Sequence, residues 1–153
     1  MTAPLITDMP VRLLLVAAPG ARALQILGQL SGSGMRLSAT AVSHVSTLDQ
    51  TLRESTLDIV VCDFDSPTVR GLVALQIVRA TGLDLPFIFV SGVSDVGAAV
   101  AAIKAGADDY LLDNNLAQLA RCVHHEVSRA RERTQRQWAQ RQVHATLTRM
   151  QAH

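Results

Sequence analysis

Short aliphatic runs alternate along this chain with longer stretches in which apolar residues recur every three or four positions. The runs predict strands buried on both faces, and the periodic stretches predict helices laid over them. Val11 to Ala17 reads as the first strand, closed by Pro19-Gly20. A helix over Ala21 to Leu30 follows, with Leu24, Leu27 and Leu30 as its apolar line and Gly32 and Gly34 as terminators. Leu37 to Val42 is a short strand, and Ser46-Thr47-Leu48-Asp49 resembles a capping box opening a helix with Leu48 and Leu52 inward. Leu57 to Asp63 is the most continuous apolar run. Gly71 to Thr81 predicts a helix with Leu72, Leu75 and Val78 inward, and Phe87 to Val90 a strand ended by Ser91-Gly92. Ser94 is the expected cap of an Ala-rich helix whose apolar line is Val96, Val100 and Ile103, stopped by Gly106. Tyr110 to Leu112 is the fifth strand, and Asn114 or Asn115 caps the last helix.

Strands alternating with helices through short loops predict an α/β domain, a doubly wound five-stranded parallel sheet with helices on both faces. The last helix carries Leu116, Leu119, Val123 and Val127 one turn apart. Beyond Val127 the apolar positions thin to Ala130, Trp138, Val143, Leu147 and Met150, and neither Pro nor Gly follows Leu116. The pattern predicts one extended C-terminal helix that outruns the domain. The expected organisation is a flexible leader over 1–10, a domain over 11–127, and a helical extension over 128–153.

Composition refines this picture. Apolar residues make up 48% of the 153 and aromatics only 3%, so the core is aliphatic. No apolar run reaches membrane-spanning length and no signal peptide opens the chain, which predicts a cytoplasmic protein. The only cysteines, Cys62 and Cys122, read as small hydrophobes in a reduced compartment. Residues 1–120 hold seven Lys and Arg against eleven Asp and Glu, whereas 121–153 hold seven Arg against two Glu. An acidic domain thus carries a basic tail.

The chemistry centres on Asp63. A carboxylate at the C-terminal end of a buried parallel strand lies on the edge where open α/β sheets bind ligands. Pro67 follows four residues later and Gly71 after that. Ser91-Gly92 ends the next strand, and Lys104-Ala105-Gly106-Ala107-Asp108-Asp109-Tyr110-Leu111-Leu112 leads into the fifth.

In this order, those motifs resemble the receiver domain of bacterial two-component response regulators over about residues 11–127. The resemblance implies a flavodoxin-like fold, Asp63 as the phospho-acceptor position, Ser91 and Tyr110 as switch positions, and a signalling module rather than an enzyme. Active receivers end their first strand in two acidic residues that hold Mg²⁺; here those positions are Ala17 and Ala18. They also end the fifth strand in a Lys that pairs with the acceptor; here that position is Asp113. Loss of the metal ligands and reversal of one charge remove what phosphoryl transfer needs from the protein, which is positioning and neutralisation.

The expectation is an atypical, pseudo-receiver module of phosphorelay signalling, acting by protein–protein contact, without a cofactor and independent of Asp63 phosphorylation. The alternative is an active phospho-receiver in which Asp65 or Asp113 completes an unconventional Mg²⁺ site with Asp63. Expected partners are a histidine kinase or an output protein, with a homodimer formed through the C-terminal helix as a coiled coil.

Other chemistries are weaker. Cys122 and His125 share a helix flank but offer only two metal ligands. His125-Glu126-Val127 resembles the phospho-accepting segment of histidine kinases only faintly, lacking its Asn or Thr before Pro. Ala17-Ala18-Pro19-Gly20-Ala21 stands where a phosphate loop would lie but lacks its glycine spacing and Lys. The arginines at 129, 131 and 133 spread around the helix, and no DNA-binding motif accompanies them, which disfavours a nucleic-acid partner.

Overall fold

The structure, a computed structural model, describes residues 10–151. The expected leader therefore lies outside the described residues except for Pro10. The strands are β1 (Val11–Val16), β2 (Leu37–Val42), β3 (Ile59–Asp63), β4 (Phe87–Ser91) and β5 (Asp109–Leu112). The helices are α1 (Ala21–Ser31), α2 (Val45–Glu54), α3 (Gly71–Ala80), α4 (Val96–Lys104) and α5 (Leu119–Gln151). All strand pairs are parallel, in the order β2-β1-β3-β4-β5. This is the doubly wound five-stranded sheet the sequence predicts.

Alternation along the strands sorts the core into two layers. Leu14, Val16, Val60, Cys62, Phe87 and Phe89 face α2, α3 and α4, while Leu13, Leu15, Ile59, Val61, Ile88 and Val90 face α1 and α5. Because β3 lies across β1 from β2, the chain order reverses between β1 and β3. The crevice at the C-terminal ends of these two strands is the expected ligand edge, and it receives Ala17, Ala18 and Asp63.

Several helix faces differ from expectation. Leu24 is 71% exposed, and Ile26 and Leu30 carry the buried side of α1. Residues six apart lie about 240° round a helix, so a run of three-residue steps drifts off the core; residues four apart stay on it. The same drift leaves Leu72 exposed while Ala74, Leu75 and Val78 are buried. In α4 the expected apolar line is coherent but faces outward, with Val96 78% exposed and Val100 and Ile103 nearly half exposed. The sheet beneath is occupied by edge-on rings, Phe64–Phe89 at 5.1 Å and Phe64–Tyr110 at 5.3 Å. Alanine is what packs over them: Ala102 is fully buried.

The caps also shift. Asp95, not Ser94, caps α4, accepting from the Ala98 amide at 3.2 Å. His44 precedes α2 without a side-chain cap bond, so Ser46 does not cap it. Asp113–Gln118 forms a 3-10 turn before α5, so neither Asn114 nor Asn115 caps the final helix.

Helix α5 has 33 residues, about 50 Å at 1.5 Å per residue. Leu119, Val123, Val127 and Ala130 bury its proximal face. Arg131 then donates to Pro10 O at 3.1 Å and pairs with Asp58 at 3.4 Å, and Arg133 forms a two-point pair with Asp84. Past these anchors every described residue is exposed.

Candidate functional site

The sheet delivers four groups to one edge. Strand β3 ends in Asp63, whose side chain is 8% exposed. The turn after it carries Asp65, β4 ends in Ser91, and Asp113 follows β5. A fifth group, which strand patterning does not mark, comes from the first turn of α1. Arg22 reaches over the strand ends, its Nε 3.7 Å from Asp63 Oδ1 and its Nη1 in direct contact with Asp113 Oδ1. Its Nη2 is buried without a hydrogen-bond partner. The sequence signal for Arg22 was its place two residues past Gly20, at a helix start on the ligand edge.

Asp65 is committed elsewhere. Its carboxylate accepts from the Gly92 amide at 2.8 Å and from Ser91 Oγ at 3.0 Å. Its own amide donates to Asp63 Oδ1 at 3.1 Å. Ser91 is fully buried, and its hydroxyl is thus held toward the turn after β3. Gly92 permits this crowding: a Cβ there would stand 2.9 Å from Asp113 Oδ2.

Burial pushes the Asp63 carboxyl above its ordinary value. The Asp65 amide and Arg22 oppose the rise, while the neighbouring charges of Asp65 and Asp113 add to it. Ala17 is buried and Ala18 half-buried, and neither presents a polar side chain to Asp63. Among the described residues no three His, Cys, Asp or Glu side chains are grouped to hold a metal ion.

Tyr110 stands on β5, two strands from Asp63. Its ring packs on Phe64 and Phe89, and its hydroxyl is buried without a hydrogen-bond partner. With Val100, Ile103 and Lys104 it borders a shallow groove on the outer side of α4. Cys122 and His125 lie on α5, away from the C-terminal strand ends that carry Asp63. The Cys122 thiol is pushed up to about 11 by burial and by Asp109, so it stays protonated. Cys62 is buried inside β3.

The segment from Lys104 to Leu112 has its polar residues at the opposite edge of the sheet from Asp63. Asp108 accepts from the Phe87 amide at 2.8 Å and from Arg79 at 3.1 Å, and Arg79 also donates to Gly106 O. Gly106 makes the turn at φ 114°, a conformation that favours glycine. Asp108 thus braces α3 and the entries to β4 and β5, while Lys104, Asp109 and Tyr110 border the groove on the outer side of α4.

A model of the response regulator receiver domain family matches residues 21–122. The chain is 36% identical over 103 residues to Response regulator MprA of Mycobacterium sp. (strain KMS), covering 67% of this chain and 44% of that protein. It is 37% identical over 83 residues to Transcriptional regulatory protein PrrA of Mycobacterium tuberculosis, covering 52% of this chain and 35% of that one. The matched region thus spans less than half the length of these relatives. The receiver domain of a LuxO repressor protein from Vibrio parahaemolyticus superposes with TM-score 0.72 at 20% identity, over 82% of this chain and 96% of that one. The receiver domain of Francisella response regulator 1452 gives 0.68 at 21%, over 78% and 98%. At those identities the two structures speak to fold alone. No helix among the described residues is long and apolar enough to cross a membrane.

Proposed function

The chain belongs to the response regulator receiver domain family of two-component signalling, and we propose that it is an atypical member that works through protein contacts without phosphorylation of Asp63. The observation that carries this reading is the Arg22 guanidinium lying between Asp63 and Asp113. A cation from α1 stands beside the acceptor, and the residue after β5 supplies an anion.

Phosphoryl transfer asks the protein to position the group and to neutralise charge on its oxygens. Here the incoming group meets three carboxylates and one guanidinium, and that guanidinium is already paired. A divalent cation fares no better. We read Ala17 and Ala18 as the positions of the acidic pair, and they offer no oxygen ligand. Asp65 is taken by Ser91 and the Gly92 amide. The residues present do not fit Mg²⁺.

The switch positions suit a fixed state. Ser91 is already bonded to Asp65, and the Tyr110 hydroxyl is already buried, so neither needs a trigger to take its place. Histidine kinases and output domains are what response regulators contact, and we assign such a contact to the outer face of α4. There Val96, Val100 and Ile103 are exposed together beside the Tyr110 groove.

Incubation with acetyl phosphate and Mg²⁺ followed by intact-mass spectrometry tests the reading. The expected spectrum is unmodified protein; stoichiometric modification at Asp63 would overturn it. Mg²⁺ affinity that disappears in Asp113→Ala would instead carry the unconventional-ligation alternative.

A further inference from the structure

We propose that the outer half of α5 is the seam of a weak antiparallel homodimer, formed by Ala139, Val143, Leu147 and Met150 of two copies. This seam is independent of any modification of Asp63.

The helix has two apolar lines, and they face different ways. Leu119, Val123, Val127 and Ala130 are buried against the domain. At 3.6 residues per turn, the line through Ala139, Val143, Leu147 and Met150 is centred about 150° round the helix from that face. It is not a frayed continuation of the packing face. Among the described residues nothing covers it, because Arg131 and Arg133 hold the helix where it leaves the sheet edge. Val143, Leu147 and Met150 are accordingly 50–69% exposed. Spacings of four and three residues are those of a helix–helix seam.

The side chains beside this line indicate what covers it. Gln140, Gln142 and Thr146 flank the seam and carry no charge. Arg141 and Arg149 project from the back of the helix. No Asp or Glu follows Glu132 in the sequence. An acidic partner would be drawn to the arginine side, away from the apolar line. A second copy meets the line with no like charges across it, save at Arg136.

Arg136 also decides the direction. It lies in line with the stripe, four residues before Gln140. A parallel pair would set the two Arg136 side chains face to face. An antiparallel pair with Val143 opposite Leu147 of the second copy puts them about 27 Å apart along the axis at 1.5 Å per residue. That exceeds the screening length of about 8 Å at physiological salt. The same register sets Met150 across from Ala139 and Gln140, a large side chain over a small one, which lets the layers interdigitate. So short a seam buries less than the roughly 1,200 Å² typical of stable complexes, so the dimer is weak and concentration-dependent.

Sedimentation of the full chain from about 1 µM to about 1 mM, the span of weak association, tests the proposal. The mass should rise from one chain toward two, and the rise should disappear in Val143→Glu/Leu147→Glu. Both side chains are exposed, so that variant should keep the parent circular dichroism and unfolding curve. In a Cys122→Ser background, oxidising a mixture of Gln140→Cys and Met150→Cys should give the mixed cross-linked dimer, while neither variant alone cross-links to itself. A mass of one chain throughout, a dimer indifferent to the double Glu variant, or self-cross-linking of each single variant would each overturn the proposal.

Discussion

Arg22 and Asp113 meet across the C-terminal edge of the sheet, one from the first turn of α1 and the other from the residue after β5. They lie 91 positions apart in the sequence, yet they read as one exchange. On the reading proposed above, the anion occupies the place where receivers of this family carry a cation, and the cation arrives from another element. Asp63, buried beside both, keeps a positive neighbour.

Removing Arg22 leaves Asp63 and Asp113 facing each other uncompensated. Breaking a fully buried pair from one side costs about 3–5 kcal/mol, and the partial exposure of Arg22 and Asp113 reduces this to about 1–2 kcal/mol. Arg22→Ala should lose stability of that order in urea unfolding. Asp113→Ala on top of it should cost less than the two single changes added together, a coupling read by the double-mutant cycle.

Two carboxylates should respond to pH with opposite signs. Asp63 is raised by burial, so the folded protein holds its proton more tightly than the unfolded chain. Stability is therefore lost as pH climbs from the ordinary carboxylate range through the raised folded value. Asp63→Asn should be more stable than the parent at neutral pH and equal to it in acid. Burial also presses Asp58 upward, but hydrogen bonds from the Arg12 side chain and amide, with the charges of Arg12 and Arg131, outweigh it and leave Asp58 below its ordinary value. Its contribution is present at neutral pH and disappears as pH falls through that lowered value. Asp58→Asn should be less stable than the parent at neutral pH, with the gap closing in acid. Urea midpoints over a pH series check both.

Asp65→Ala should loosen the turn between β4 and α4 without unfolding the domain. It removes the acceptor of the Gly92 amide and the nearer acceptor of the buried Ser91 hydroxyl, which keeps Val93 O at 3.4 Å. Because Ser91 keeps one acceptor and Gly92 is exposed to water, the loss is that of ordinary hydrogen bonds, about 1 kcal/mol. Hydrogen exchange at the Gly92 amide should rise well above its rise elsewhere in the sheet.

Gly71→Ala should destabilise although Ala is the better helix former. A Cβ at Gly71 would stand 2.8 Å from Phe89 Cε1 and 3.0 Å from Phe64 Cδ2. Overpacking of this kind costs about 1–3 kcal/mol, and the rings must shift to admit it. A lowered thermal midpoint with altered near-ultraviolet dichroism is the expected result.

The strands were legible because a doubly buried parallel strand demands an unbroken aliphatic run, and Val60-Val61-Cys62-Asp63 allows no other placement of its carboxylate. Asp63, Ser91 and Asp113 could be assigned to one edge from the sequence alone, since each ends or follows a strand of a parallel sheet. The helix faces were less legible. Leu24 and Leu72 lie on ladders of three-residue steps, which drift off the core, and local spacing does not say which turn the sheet will meet. In α4 the spacing was coherent and still misjudged, because the rings of Phe64, Phe89 and Tyr110 occupy the sheet and leave room only for alanine.

The sequence by itself determined the strand order of chemistry along the chain, the place of a carboxylate at the end of its third strand, and a final helix too long for one domain. Only the tertiary structure decided which charge answers Asp63. Ion pairing depends on distances through space, and Arg22 is brought to Asp63 and Asp113 by the packing of α1 beside the ends of β1 and β3. In the same way, only the packing of Val127 and Ala130 decides which side of α5 is taken and leaves the line through Val143 and Leu147 facing out.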